Sequence, residues 1–321
     1  MQAAPIVERF EIHDVSGPTP CVAISPAPLA SDPTRASLPL CLFLPGGGGS
    51  EETLLAIAPL LERAWSNERL PPMIVATARV PPFGFYLDDP ARGEAWETLV
   101  AEELPRQARE RFDLDPAARS SLVGISMGGY AALKMAFARP EAFTAVAAVS
   151  PMIEPAFSAA SVPLRNRYHY PPEVPEALLG AERDAALYER DHPACRAIRH
   201  AEAIRASDLR IFLDAASRDA LHAHDGCELL HRTLWELDVA HEYHLWRDAD
   251  HVGGTLPPRL SQAFEWVGAQ LAERRAPTEE ETALRASLAE AHRAAAELDA
   301  TMTRRYGPLA TVTLPGSNRA G

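Results

Sequence analysis

The stretch Ser121-Leu122-Val123-Gly124-Ile125-Ser126-Met127-Gly128-Gly129-Tyr130-Ala131-Ala132-Leu133 decides the reading of this chain. Its first four residues have strand character, and a helix-forming run through Ala136 follows its last ones. Between them stands G-x-S-x-G, which carries meaning only in this strand-to-helix context. The turn it implies is tight enough that side chains flanking the serine would clash. Glycine at 124 and 128 removes those clashes because it has no Cβ. Ser126 is then presented at the carboxyl end of a sheet, and the Met127 amide, first in the helix, has no intrahelical acceptor. Such an amide can bind an oxyanion.

Outward from this turn, apolar runs alternate with helical patterns. Residues 6–13 alternate apolar and polar as an edge strand does, and residues 21–24 form a second short strand within a Pro-rich stretch over 18–39 that interrupts any long element. Residues 40–44 (LCLFL) are continuously apolar, as in a strand buried on both faces, and end in Pro45-Gly46-Gly47-Gly48-Gly49-Ser50. A helix over 51–65 follows, with Ser50 as N-cap and acidic residues in its first turn. Strand 73–78 leads into the loop Pro81-Pro82-Phe83-Gly84-Phe85-Tyr86, then a helix over 94–112 that Pro105 must kink or split. Beyond the serine helix, strands are predicted at 145–150, 209–213 and 242–246, with helices at 226–237 and 258–271. This alternation predicts an α/β protein with a mostly parallel central sheet and helices on both faces.

Residues 151–205 interrupt the pattern as an insertion placed to roof a pocket, so Arg165, Tyr168 and His169, with Phe83, Phe85 and Tyr86, are candidate substrate contacts. A main domain is expected over 1–275 and a helical tail over 276–321, the last residues disordered. In that tail Leu284, Leu288, Ala291, Ala295, Leu298 and Met302 share about one face. The face fits a solvated helix laid on the body or, alternatively, a homo-oligomer contact.

Composition excludes several classes. Hydrophobic content of 47% and charged content of 23% are ordinary for a globular protein. A formal net charge of -13 with no basic block argues against nucleic acid or an anionic membrane as partner. No stretch approaches the roughly 18 apolar residues of a membrane span, and the opening MQAAPIVERFEIHD lacks a basic segment before an apolar run, so no signal peptide is expected. Cys21, Cys41, Cys195 and Cys227 are scattered, as reduced thiols in a cytoplasmic protein are. No metal or other cofactor is expected: His222-Ala223-His224-Asp225 lacks further ligands at suitable spacing, and the two histidines of His241-Glu242-Tyr243-His244 point to opposite faces of a strand.

A nucleophilic serine needs a base and an orienting acid, and on such a sheet these follow in the order serine, acid, histidine, each after a strand. Asp219 lies in the loop after 209–213 and is preferred over Asp214, which sits on the strand, and Asp225. His251 lies in the loop after 242–246, with Asp248 and Asp250 too near in sequence to orient it. His251 would take the Ser126 proton, and Asp219 would fix the tautomer and stabilise the imidazolium. Met127 would be one oxyanion donor and Gly47 the other, with Gly48 as second choice. A phosphate cradle in the glycine run lacks the following Gly-Lys-Ser/Thr.

The stretches LFLPGGGGSEETL, FYLDDPARGEAWETLVAEELP, LVGISMGGYAALKMAFARPEAFTAVAAVSP, IFLDAASRDAL and HEYHLWRDADHVGG give the chain a family resemblance over roughly residues 40–270. It resembles α/β-hydrolases of the esterase D type, a group that includes S-formylglutathione hydrolases, enterochelin-type esterases and mycolyltransferases. The resemblance implies the α/β-hydrolase fold and the same triad and oxyanion donors. It implies a serine hydrolase acting on a small-molecule carboxylic ester or thioester through a Ser126 acyl-enzyme. Acyl transfer to an alcohol or amine is the alternative, and a non-catalytic binding protein on the same scaffold the third reading.

Overall fold

The structure is a computed structural model, and it describes residues 5–14, 17–27, 37–90, 93–168, 185–271 and 279–306. It divides into two compact units, Met1–Ala272 and Glu273–Gly321. The first is built on an eight-stranded sheet of β1 (Ile6–Asp14), β2 (Gly17–Ser25), β3 (Leu40–Leu44), β4 (Ile74–Ala78), β5 (Ser120–Ile125), β6 (Phe143–Val149), β7 (Arg210–Ala216) and β8 (Glu242–Trp246). Their order across the sheet is β1-β2-β4-β3-β5-β6-β7-β8. β2 pairs antiparallel with β1 and β4, and every pairing from β4 to β8 is parallel.

Among the described residues, the longer helices of this unit are α1 (Glu52–Ser66), α2 (Leu104–Phe112), α3 (Met127–Ala138), α4 (Leu164–Tyr168), α5 (Ala185–Asp191), α6 (Pro193–Arg199), α7 (Ala201–Ala206), α8 (Ala223–Glu236) and α9 (Leu256–Gln270). Two cores follow from the two-sided sheet. On one face Leu54 and Leu61 of α1 and Leu260, Phe264 and Val267 of α9 pack on Cys41, Phe43, Val123 and Phe212. On the other, Leu104 and Ala108 of α2, Leu133 of α3 and Leu230 and Leu234 of α8 pack on Leu42, Leu122, Val146 and Leu213. β3, β4 and most of β5 are buried throughout, which is why they read as unbroken apolar runs.

Three local expectations are corrected. β2 is a full nine-residue strand rather than a short one, paired along its whole length with β1. The helix expected from 94 begins later: Glu94–Ala95 pairs with Asp88–Asp89 as a small hairpin. Asp88 then caps the following turn, accepting from the Glu97 and Thr98 amides at 2.8 and 3.2 Å. Pro105 does not split the helix. Leu99–Glu103 forms a π-helical turn immediately before α2, and this widening accommodates the proline ring without a break.

In the second unit, α10 (Glu279–Tyr306) is a single helix on which Leu284, Leu288, Leu298 and Met302 are exposed. Among the described residues no helix is long and apolar enough to cross a membrane.

Candidate active site

The turn between β5 and α3 has the geometry its spelling requires. Ser126 is held at φ 55° and ψ -118°, a region costly for a non-glycine residue. A Cβ on Gly124 would lie 2.2 Å from the Gly128 carbonyl oxygen, and one on Gly128 would lie 1.9 Å from that of Leu44. Two further hydrogen bonds fix the serine backbone. Its amide donates to the Val149 carbonyl at 2.9 Å, and its carbonyl accepts from Met152 at 3.1 Å.

The parallel register brings the other loops to the same edge, since Leu44 pairs with Gly124, Val149 with Asp214 and Ala216 with Trp246. His251 Nε2 lies 2.9 Å from Ser126 Oγ. His251 Nδ1 lies 2.7 Å from Asp219 Oδ2, and both side chains are buried. The carboxylate only accepts, so Nδ1 carries the proton and the Nε2 lone pair faces the hydroxyl. The other Asp219 oxygen accepts from the Leu221 amide at 2.8 Å.

Asp214, the poorer acid candidate, is buried in β7 and serves another purpose. Arg259 of α9, fully buried, donates to Asp214 through Nε (2.9 Å) and Nη2, to Ser150 Oγ through Nη2, and to the Asp250 carbonyl through Nη1 at 2.9 Å. Burial raises the Asp214 pKa above the ordinary carboxylate value, and the hydrogen bond and charge of Arg259 oppose that rise. Asp250 joins the two loops directly: its Oδ1 accepts from the Ala220 amide at 2.9 Å and the His251 amide at 2.6 Å. These backbone bonds hold its carboxyl below the ordinary value. Neither Arg259 nor the clamping role of Asp250 was found from sequence. The available signal was an arginine at 259 on the same helix face as Leu260, Ala263 and Phe264, where a charge requires a buried partner.

The glycine loop after β3 lies beside the serine, for a Cβ on Gly46 would stand 3.3 Å from Ser126 Cβ. Gly48, the second-choice oxyanion donor, is corrected: its amide already donates to the Pro82 carbonyl at 2.7 Å. Among the described residues no such bond engages the amides of Gly47 or Met127. Of the substrate-contact candidates, Phe83 is half-buried against Gly47. Phe85 and Tyr86 are corrected to core residues. Their left-handed backbones, φ 48° and 53°, accompany burial of both rings, Phe85 edge-on to Tyr130 at 5.3 Å. Arg165 pairs with Asp225, which also accepts from Asn166 Nδ2 at 3.0 Å, so α4 is docked beside the acid loop. Tyr168 closes α4, and His169 lies outside the described residues.

His222, His224 and Asp225 offer ligand atoms within 4.8 Å of one another. The Asp225 carboxylate is engaged by Arg165 and Asn166, so a cation there would compete with a guanidinium.

A family model described as "Putative esterase" matches residues 63–252. The chain belongs to this esterase family. It is 37% identical over 78 residues to S-formylglutathione hydrolase of Bos taurus, covering 22% of this chain and 27% of that one. It is 35% identical over 79 residues to the diacylglycerol acyltransferase/mycolyltransferase Ag85A of Mycobacterium leprae, covering 22% and 24%. These matches thus span about a quarter of each relative's length. Among solved structures a ferulic acid esterase superposes with a TM-score of 0.66 at 17% identity, over 84% of this chain and all of that one. The fold is the α/β-hydrolase fold, with a mostly parallel sheet covered on both faces.

Proposed function

We propose that this esterase-family protein is a serine hydrolase that cleaves a carboxylic ester or thioester of a small molecule through an acyl-enzyme on Ser126. One observation carries the proposal: the chain of two hydrogen bonds from Ser126 Oγ through the His251 ring to Asp219, mounted on a strained turn. As Oγ bonds to the carbonyl carbon, its proton passes to His251 Nε2, and Asp219 stabilises the imidazolium. The oxyanion is received by the Gly47 and Met127 amides. The bond to the leaving group then breaks, and His251 gives that group the proton. Water repeats the sequence on the acyl-enzyme, losing a proton to His251 and releasing the acid with Ser126 restored. No cofactor enters this scheme.

Acyl transfer to an alcohol or amine uses the same groups, and the likeness to a mycolyltransferase supports keeping it as the second reading. The two are separated by product analysis with and without an alcohol acceptor. The four free cysteines, three of them buried, fit a cytoplasmic enzyme. For α10, a second copy of the chain is the partner its exposed leucines fit, which sedimentation at graded concentrations tests.

The deciding experiment is labelling with a fluorophosphonate probe, which phosphonylates only an activated serine. Native protein is expected to label at Ser126 and Ser126→Ala to remain unlabelled while folded. Absence of label on the native protein favours a non-catalytic binding role.

A further inference from the structure

The loop of residues 81–87 grips the glycine loop at three points. The Pro82 carbonyl takes the Gly48 amide, and the Phe83 ring stands where a Cβ on Gly47 would come within 2.8 Å of it. The buried Tyr86 hydroxyl donates to the Pro45 carbonyl at 3.1 Å. That same carbonyl abuts the other side of the site, since a Cβ on Gly128 would lie 2.6 Å from it. Pro45 is therefore fixed between the serine helix and Tyr86, two residues before Gly47.

Tyr86 needs support of its own. A left-handed backbone costs an L-residue about 1–2 kcal/mol, and Phe85 and Tyr86 adopt it in succession. The Lys134 ammonium, fully buried on α3, donates to the Tyr86 carbonyl at 2.7 Å and to Glu97 Oε2 at 2.9 Å. Glu97 also receives both terminal nitrogens of Arg196 from α6, and Arg196 Nη2 reaches Asp191 Oδ1 at 3.0 Å. Arg190, at the edge of the cluster, also donates to Asp191, so three cations share the two carboxylates. Burial alone would raise the Glu97 carboxyl, but the Lys134 charge and the Arg196 hydrogen bond hold it down to about 2. A lysine on a helix otherwise apolar all round has a defined task here: it fixes one carbonyl of a strained turn.

We infer that Tyr86 is a positioning residue for the oxyanion donor, its hydroxyl setting the Pro45 peptide and thereby the aim of the Gly47 amide, with the buried Lys134–Glu97 pair holding Tyr86 in place. This rests on the hydrolase reading and on Gly47 as a donor. Tyr86→Phe keeps the ring and removes only the hydroxyl. Losing one oxyanion donor outright costs about 10²–10³ in kcat. Misaiming it is expected to lower kcat about tenfold while KM stays within twofold.

The test measures kcat per active site, titrated with the fluorophosphonate so that unfolded protein is not counted. It is paired with the Ki of an arylboronic acid, whose serine adduct carries an oxyanion. The boronate is expected to bind about tenfold more weakly to Tyr86→Phe, with inhibition by the carboxylate product unchanged. Lys134→Met is expected to move both quantities the same way. Wild-type kcat and boronate affinity in Tyr86→Phe overturn the inference, as does an equal weakening of boronate and product. A native protein that neither turns over aryl esters nor labels rejects the hydrolase reading itself, a result distinct from a normal Tyr86→Phe.

Discussion

Replacing Arg259 with methionine tests how the histidine loop is held. In the native protein its guanidinium reaches three places at once: the Asp214 carboxylate in β7, the Ser150 hydroxyl after β6, and the Asp250 carbonyl beside His251. Both charged side chains are fully buried. Methionine fills comparable space but leaves the Asp214 carboxylate without its cation. Stranding one member of a buried pair costs about 3–5 kcal/mol. At about 2 °C per kcal/mol for a unit of about 270 residues, Tm at neutral pH is expected to fall by roughly 6–10 °C.

The pH dependence follows from the sign of the Asp214 shift. Its folded pKa is raised, so the folded state holds its proton more tightly than the unfolded one, and stability is lost as pH rises through the folded value. Without Arg259 that rise is larger. The variant's deficit is therefore expected to be greatest at neutral pH and to shrink on acidification. Paired with Asp214→Leu, the double variant is expected to recover much of the loss, because no charge is then stranded. Thermal melts of the wild type, both single variants and the double variant from pH 5 to 8 give the cycle. An Arg259→Met protein within 2 °C of wild type at pH 7, or strictly additive single variants, would refute the reasoning.

Asp219→Asn preserves shape but favours the wrong imidazole tautomer, and kcat toward a p-nitrophenyl ester is expected to fall on the order of 10⁴ with near-native Tm. Gly128→Ala places a Cβ 1.9 Å from the Leu44 carbonyl, a backbone atom that cannot swing aside, and is expected to destabilise by about 3 kcal/mol or more and abolish probe labelling. A stable, labelled variant would mean that the turn is looser than described. His192 is buried, with Nε2 on the Glu154 carbonyl at 2.8 Å and its pKa lowered by burial from 6.5 to about 4. The unfolded chain therefore gains this proton first, and stability is expected to fall as pH drops from about 6.5 to 4, by up to about 3 kcal/mol. A melt series should show this slope in the wild type and a flatter one in His192→Asn.

The turn around Ser126 was legible because its constraints are local. Gly124 and Gly128 are dictated by backbone atoms within a few residues or on the neighbouring strand, so spelling and geometry coincide. The order of the acid and histidine loops was legible for a related reason. Each follows a strand of the same parallel sheet, and all such loops emerge at one edge. The helix runs through Pro105 unsplit because the π-turn of residues 99–103 ends just before α2, leaving the proline in the first turn of α2, where a missing N–H costs little. Tyr86 and Phe85 were placed at the substrate because aromatic residues in a loop do not disclose a left-handed backbone.

The amino-acid sequence thus determined the elements, the sheet and the residues that meet at its carboxyl edge, since periodicity and near-neighbour sterics are written along the chain. Tertiary structure alone decided which donors remained open and which charges held the loops. Gly48 lost its amide to Pro82, 34 positions away, while Arg259 and Ser150 met across 109 residues and Arg196 and Glu97 across 99. Hydrogen bonds of that range depend on how elements stack in space. A lysine or arginine inside an apolar helix face announces only that some partner exists, and folding supplies its name.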